Sequence, residues 1–118
     1  MRIWRLLLPT TTLVLSAVYL WFAVQPRVPE VVSGVSDVAI HGGGYVVLAV
    51  LAALSAHVRG WRAPCLLGWL YAVGHGAVLE VLQYFYPPRQ ASWLDLGVDA
   101  VGAMVGVVMA AAVTRLRQ

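Results

Sequence analysis

Four apolar stretches of membrane-crossing length follow one another along this chain, and they constrain its fold more than any other feature. A spanning helix needs about 20 mostly apolar residues, and residues 6–24, 38–58, 65–86 and 96–114 each supply such a run. The links are short. Arg59-Gly-Trp-Arg-Ala-Pro64 is a polar turn, and Pro87-Pro88 stops the third stretch because proline disfavours helix in the residue before it. The pattern predicts an all-α, four-helix transmembrane bundle forming a single domain over residues 1–118. Composition agrees: 61% of the 118 residues are hydrophobic and 11% are charged, against about half and about a quarter in soluble domains. So small a water-soluble fold could not cover its surface with so few charges, and a disordered chain would not carry this much apolar area.

Arg2 and Arg5 before the first stretch imitate a signal peptide. Its apolar core is too long, however, and Trp21-Phe-Ala-Val-Gln-Pro26 offers no small-x-small cleavage site, so the stretch is expected to be retained. The single cysteine, Cys65, excludes an internal disulfide framework and a Cys-based zinc cluster.

Charge placement orients the spans. Arg2, Arg5, Arg59, Arg62, Arg115 and Arg117 fall on the side shared by the two termini and the second link. Arg27 and Arg89 fall on the other side together with all five acids, Glu30, Asp37, Glu80, Asp95 and Asp99. By the positive-inside rule the arginine-rich side is cytoplasmic, which places both termini in the cytoplasm. The net charge of +3 does not indicate nucleic acid. Most of the basic residues lie in pairs beside apolar runs rather than along one face interleaved with aromatics.

The informative residues are polar groups near the outer ends of three helices. Asp37 and His41 are one turn apart on the second helix, and Tyr45 continues their stripe. Glu80 and Gln83 share a face of the third. Glu80 precedes Tyr86 by six residues, which sets it about 9 Å into the span. Arg89 follows the prolines, and Asp95 and Asp99 lie one turn apart where the fourth helix begins. A carboxylate in a span is costly. Glu80 must therefore carry a proton, pair with a partner such as Arg89 or His41, or face water.

Other features read as packing. Gly42-Gly-Gly44 and the Gly102-x-x-x-Gly106 pair with Ala110 suit close helix approach, within the chain or between copies. His75, turned about 140° from Glu80, is expected to meet a different neighbour as a packed or hydrogen-bonded histidine. His57 and the residues Trp61, Trp69, Trp93, Tyr84 and Tyr86 suit the membrane surfaces. Thr10-Thr-Thr12 can bond its own helix backbone.

Taken together, Asp37-x-x-x-His41-x-x-x-Tyr45, Glu80-x-x-Gln83 and Arg89-x-x-x-x-x-Asp95-x-x-x-Asp99-x-x-Gly102-x-x-x-Gly106 resemble the VanZ-like family of small bacterial membrane proteins. The resemblance runs from about Asp37 to Gly106. Val38 stands where that family commonly has Lys, and Asp99 where it commonly has Asn. The resemblance implies a multi-pass protein of the bacterial cytoplasmic membrane with a role in the cell envelope. The family's namesake is associated with resistance to the glycopeptide antibiotic teicoplanin.

Three readings stay open at this level. In the first, Asp37, His41, Tyr45, Glu80, Gln83, Arg89, Asp95 and Asp99 form an outward-facing site for a cell-envelope amphiphile. Arg89 would hold a phosphate or carboxylate of a lipid-linked cell-wall precursor or glycopeptide-related ligand. In the second, the chain is an intramembrane enzyme with His41 as base, Glu80 as acid and Arg89 stabilising negative charge. A metal version of it would use His41, Glu80 and Asp99. No H-E-x-x-H or G-x-S-x-G motif is present, and neither cofactor nor resident metal is expected. In the third, the polar residues lock the bundle of a structural or accessory subunit. Membrane lipids are the expected partners, nucleic acid is not, and a homo-oligomer is compatible with all three.

Overall fold

A computed structural model describes residues 2–26, 37–87 and 90–116, with the side chains of Asp37 and Leu116 outside that description. It contains four α-helices: α1 (Trp4–Ala23), α2 (Asp37–Val58), α3 (Pro64–Phe85) and α4 (Trp93–Leu116). All four are long and apolar enough to cross a membrane. At 1.5 Å per residue, 20 to 24 residues give about 30–36 Å, the thickness of a bilayer's hydrocarbon core. The fold is that of a multi-pass membrane protein.

The helices alternate in direction. Arg5 Nε near the start of α1 donates to the Val58 carbonyl at the end of α2, and Gln83 near the end of α3 donates to the carbonyl of Ala23, the last residue of α1. Cys65 at the start of α3 meets Val107 well along α4. The most extensive interface is between α2 and α4. Helix α3 packs on both, and α1 lies mainly on α2.

Local chemistry explains the ends. Gly60, at φ 73°, closes α2 in a Schellman arrangement: Trp61 N–H donates to the Ala56 carbonyl and Gly60 N–H to that of His57. Pro64 then starts α3 where a missing N–H is harmless. Pro9 lies inside α1 and cannot donate to the carbonyl of Arg5 four residues back. The Arg59 guanidinium, 3.4 Å away, bonds that carbonyl instead. Arg5 and Arg59 thus lace α1 to α2 at one end of the bundle.

The interior is small and the exterior bulky. The core consists of Tyr45, Leu48, Ala49, Ala53, Ala72, Ala103, Val107 and Ala110. Leu13, Val14, Val101 and Val108 point outward. Small residues bring helix backbones together where lipid surrounds them. A Cβ on Gly102 or Gly106 would strike the Gly42 or Val46 carbonyl of α2, and one on Gly68 of α3 would strike Ala53 of α2. The glycine pair of α4 is therefore used within the chain, as the seat of α2.

The four helices begin and end within three residues of the expected stretches. The largest difference is at the fourth, which starts at Trp93 rather than residue 96. Ser92 accepts the Asp95 N–H through its hydroxyl and so caps the helix before the apolar run begins.

Candidate functional site

At the end of the bundle that carries the α3–α4 link, three helices bring their polar residues to one place. His41 projects from the second turn of α2. Its Nδ1 lies 3.0 Å from Asp99 Oδ1, and its Nε2 lies 3.9 Å from Asp95 Oδ2. Asp99, one turn further into α4 than Asp95, is completely buried. A Cβ at Gly76 of α3 would come within 2.8 Å of Asp99 Oδ2, so the absent side chain makes room for this carboxyl.

Glu80 reaches across from α3. Its Oε2 accepts the Ser92 backbone N–H at 2.7 Å. When a helix begins with a capping box, the acid at the third helical position turns back to that N–H. In α4 that acid would be Asp95, but Glu80 takes its place and the Asp95 carboxyl turns toward His41. One donor atom from each of His41, Glu80 and Asp95 lies within 4.8 Å of the others. His41 and Asp95 are both partly exposed, Asp95 the more so, and give the cluster a way to the surface.

Two carboxyl oxygens here, Glu80 Oε1 and Asp99 Oδ2, are buried without a hydrogen-bond partner among the described residues. The charge balance is uneven as well. Three carboxyls face one imidazole, while the described arginines, Arg2, Arg5, Arg59, Arg62 and Arg115, lie at the opposite end of the bundle.

Of the eight residues singled out in the sequence, four converge: His41, Glu80, Asp95 and Asp99. Two do not join them. Gln83 is buried, but it bonds the Ala23 carbonyl of α1 at 3.4 Å. Tyr45 lies one turn deeper than His41, and its hydroxyl is 2.8 Å from His75 Nδ1. Arg89 and the side chain of Asp37 lie outside the described residues. The donor set also differs from the expected His41, Glu80 and Asp99. Asp99 spends Oδ1 on the Nδ1 side of the ring, which leaves Asp95 beside Nε2.

Three contributors escaped the sequence reading. Ser92 could have been found, since Ser-x-x-Asp ahead of an apolar run is a helix-start signature. Gly76 gave no signal, because one glycine in a span looks like any other. His75 was expected to be hydrogen-bonded but was not linked to Tyr45. Its Nε2 lies 3.0 Å from the Ser16 carbonyl, which can only accept. In the neutral ring, Nδ1 is then left to accept the Tyr45 hydroxyl. Tyr19 packs against both rings and donates to the Gly44 carbonyl. This layer is saturated; the one above it is not.

An apolar groove of about 470 Å³ opens beside the cluster between α3 and α4. Ala77, Val81, Tyr84, Trp93 and Leu96 line it, with Glu80 and Ser92 in its wall. Its volume is in the range of small-molecule sites. No family model, curated protein or solved structure matches the chain.

Proposed function

We propose that this chain is a VanZ-like multi-pass protein of the bacterial cytoplasmic membrane that binds a cell-envelope amphiphile at its polar end, in keeping with a part in glycopeptide resistance. The observation that carries this reading is the groove between α3 and α4. It is apolar along Val81, Tyr84 and Leu96 and meets Glu80 and Ser92 in its wall. A ligand with one greasy chain and a polar head has that same division. The groove faces the bilayer side of the helices, where Val81 and Tyr84 are exposed, so a lipid-borne ligand needs no passage through water.

The arginine distribution supports the orientation. The described arginines gather at one end and the His41 cluster at the other, which under the positive-inside rule favours both termini in the cytoplasm and the cluster outside. Asp95, whose side chain is partly exposed, would accept hydrogen bonds from hydroxyl or amide groups of the head. Arg89, three residues before Ser92 in the sequence, is the candidate for a phosphate or carboxylate.

Thermal unfolding of the purified protein in detergent tests this reading. An isoprenoid-linked cell-wall precursor, an anionic phospholipid and teicoplanin are each added to the wild type and to Val81→Trp, which fills the groove from an exposed position. At least one ligand should raise the unfolding midpoint of the wild type and fail to do so for V81W. Three flat titrations of the wild type, or an equal response in both proteins, would overturn it.

A further inference from the structure

We propose that His41, Glu80 and Asp95 form a binding site for one divalent transition cation of the zinc or manganese class, with Asp99 orienting the imidazole. Asp99 Oδ1 accepts a hydrogen bond from Nδ1 of the ring, 3.0 Å away. This fixes the tautomer, so in the neutral ring the lone pair is on Nε2, the nitrogen nearer Asp95. A carboxylate behind a metal-binding histidine is a recurring arrangement that sets ring orientation and raises ligand basicity.

The distances suit a cation better than a direct ion pair. His41 Nε2 and Asp95 Oδ2 are 3.9 Å apart, too far for a hydrogen bond. Two ligands of one cation with bonds of about 2.0–2.2 Å sit roughly 3–3.5 Å apart, so the His41–Asp95 pair closes with a small inward movement, and the three donor atoms, all within 4.8 Å of one another, draw together around the ion. Glu80 supplies the second observation. The residue is only 7% exposed, and its Oε1 is sealed without a partner among the described residues, although burying such an oxygen is costly. Its other oxygen is held by the Ser92 N–H, which fixes the carboxyl at the cluster.

Charge points the same way. His41 can bring at most one positive charge against three carboxyls, whereas a dication offsets two. One imidazole nitrogen and two carboxylate oxygens are a borderline donor set that suits zinc or manganese. Calcium, which takes six to eight oxygens, is a poor match. This site is built from protein groups alone and does not rest on the amphiphile reading.

The test uses the full chain in detergent, stripped with a chelator and then titrated separately with Zn²⁺, Mn²⁺ and Mg²⁺. Metal analysis after desalting should find one equivalent of zinc or manganese per chain, with a saturable rise in the unfolding midpoint and a weaker response to magnesium. His41→Gln and Asp95→Asn should abolish the saturable response, and Asp99→Asn should weaken the affinity about 10–100-fold. Imidazole ¹⁵N spectra of the wild type decide the matter even if a variant fails to fold. Added Zn²⁺ should shift His41 Nε2 and leave His57 and His75 in place. Less than stoichiometric metal, unmoved His41 resonances, or full binding retained by H41Q would overturn the proposal. Metal bound with all three amphiphile titrations flat would uphold this site and remove the function proposed above.

Discussion

Gly76 of α3 lies directly against the Asp99 carboxyl of α4: an added Cβ would sit 2.8 Å from Oδ2 and 3.4 Å from Asp99 Cβ. Neither group has room to retreat, because Asp99 is fully buried and its other oxygen is engaged by His41. Gly76→Ala should therefore destabilise the bundle by about 1–3 kcal/mol, the usual cost of overpacking. Gly74→Ala on the same helix is the control, since nothing lies within 4 Å of its added Cβ. Reversible unfolding in mixed detergent should separate the two variants. Equal stabilities would mean that α3 and α4 are not this close.

Glu80 holds the start of α4 as well as the cluster. Glu80→Gln keeps a carbonyl oxygen able to accept the Ser92 N–H and loses only the charge assistance. Glu80→Ala leaves that N–H without its partner. The Ala variant should lose about 1–3 kcal/mol and the Gln variant visibly less. Hydrogen exchange at the Ser92 amide should accelerate strongly in E80A alone. Identical exchange in both variants would remove Glu80 from its capping role.

The spans were legible because lipid demands long apolar runs, and such runs are visible in any window of the chain. The polar cluster was legible in part for the same reason: ionisable groups inside spans stand out. What the sequence could not show was which neighbour each would choose. Glu80 and Gln83 share a face, yet about 60° of helix rotation separates them. On a helix wedged between two others, that sends Glu80 to α4 and Gln83 to α1. Tyr45 and His41 share a stripe, but one turn of depth moves Tyr45 from the carboxyls to His75. Asp95 and Asp99 looked equivalent, and only three-dimensional packing distinguishes the sealed acid from the one that reaches the surface.

Tyr45 and His75 form a separate layer, and their removal should have separate consequences. In Tyr45→Phe the ring nitrogen Nδ1 loses its hydroxyl while Nε2 keeps the Ser16 carbonyl. Hydrogen bonds between membrane helices average about 0.6 kcal/mol, so a loss of that size is expected from unfolding measurements. The ¹⁵N resonance of His75 Nδ1 should move, and zinc binding at His41 should not change. A metal affinity that falls with Y45F would join the two layers into one site.

Gly102 and Gly106 decide between packing within the chain and association of copies. Each faces a backbone carbonyl of α2, at Gly42 and at Val46, with no space for a methyl group. A glycine seam reserved for a second copy would leave those positions open on the outer surface. Gly102→Ala and Gly106→Ala should therefore push α2 and α4 apart within one chain and lower its stability by about 1–3 kcal/mol each. Gly97→Ala on the same helix, where an added Cβ meets nothing within 4 Å, should be neutral or slightly favourable. The oligomeric state, read by light scattering in detergent at concentrations where the variants remain folded, should be the same in all three. If G102A and G106A changed the oligomer while leaving monomer stability intact, the seam would belong between chains, and the close α2–α4 contact that seats His41 over Asp99 would have to be given up.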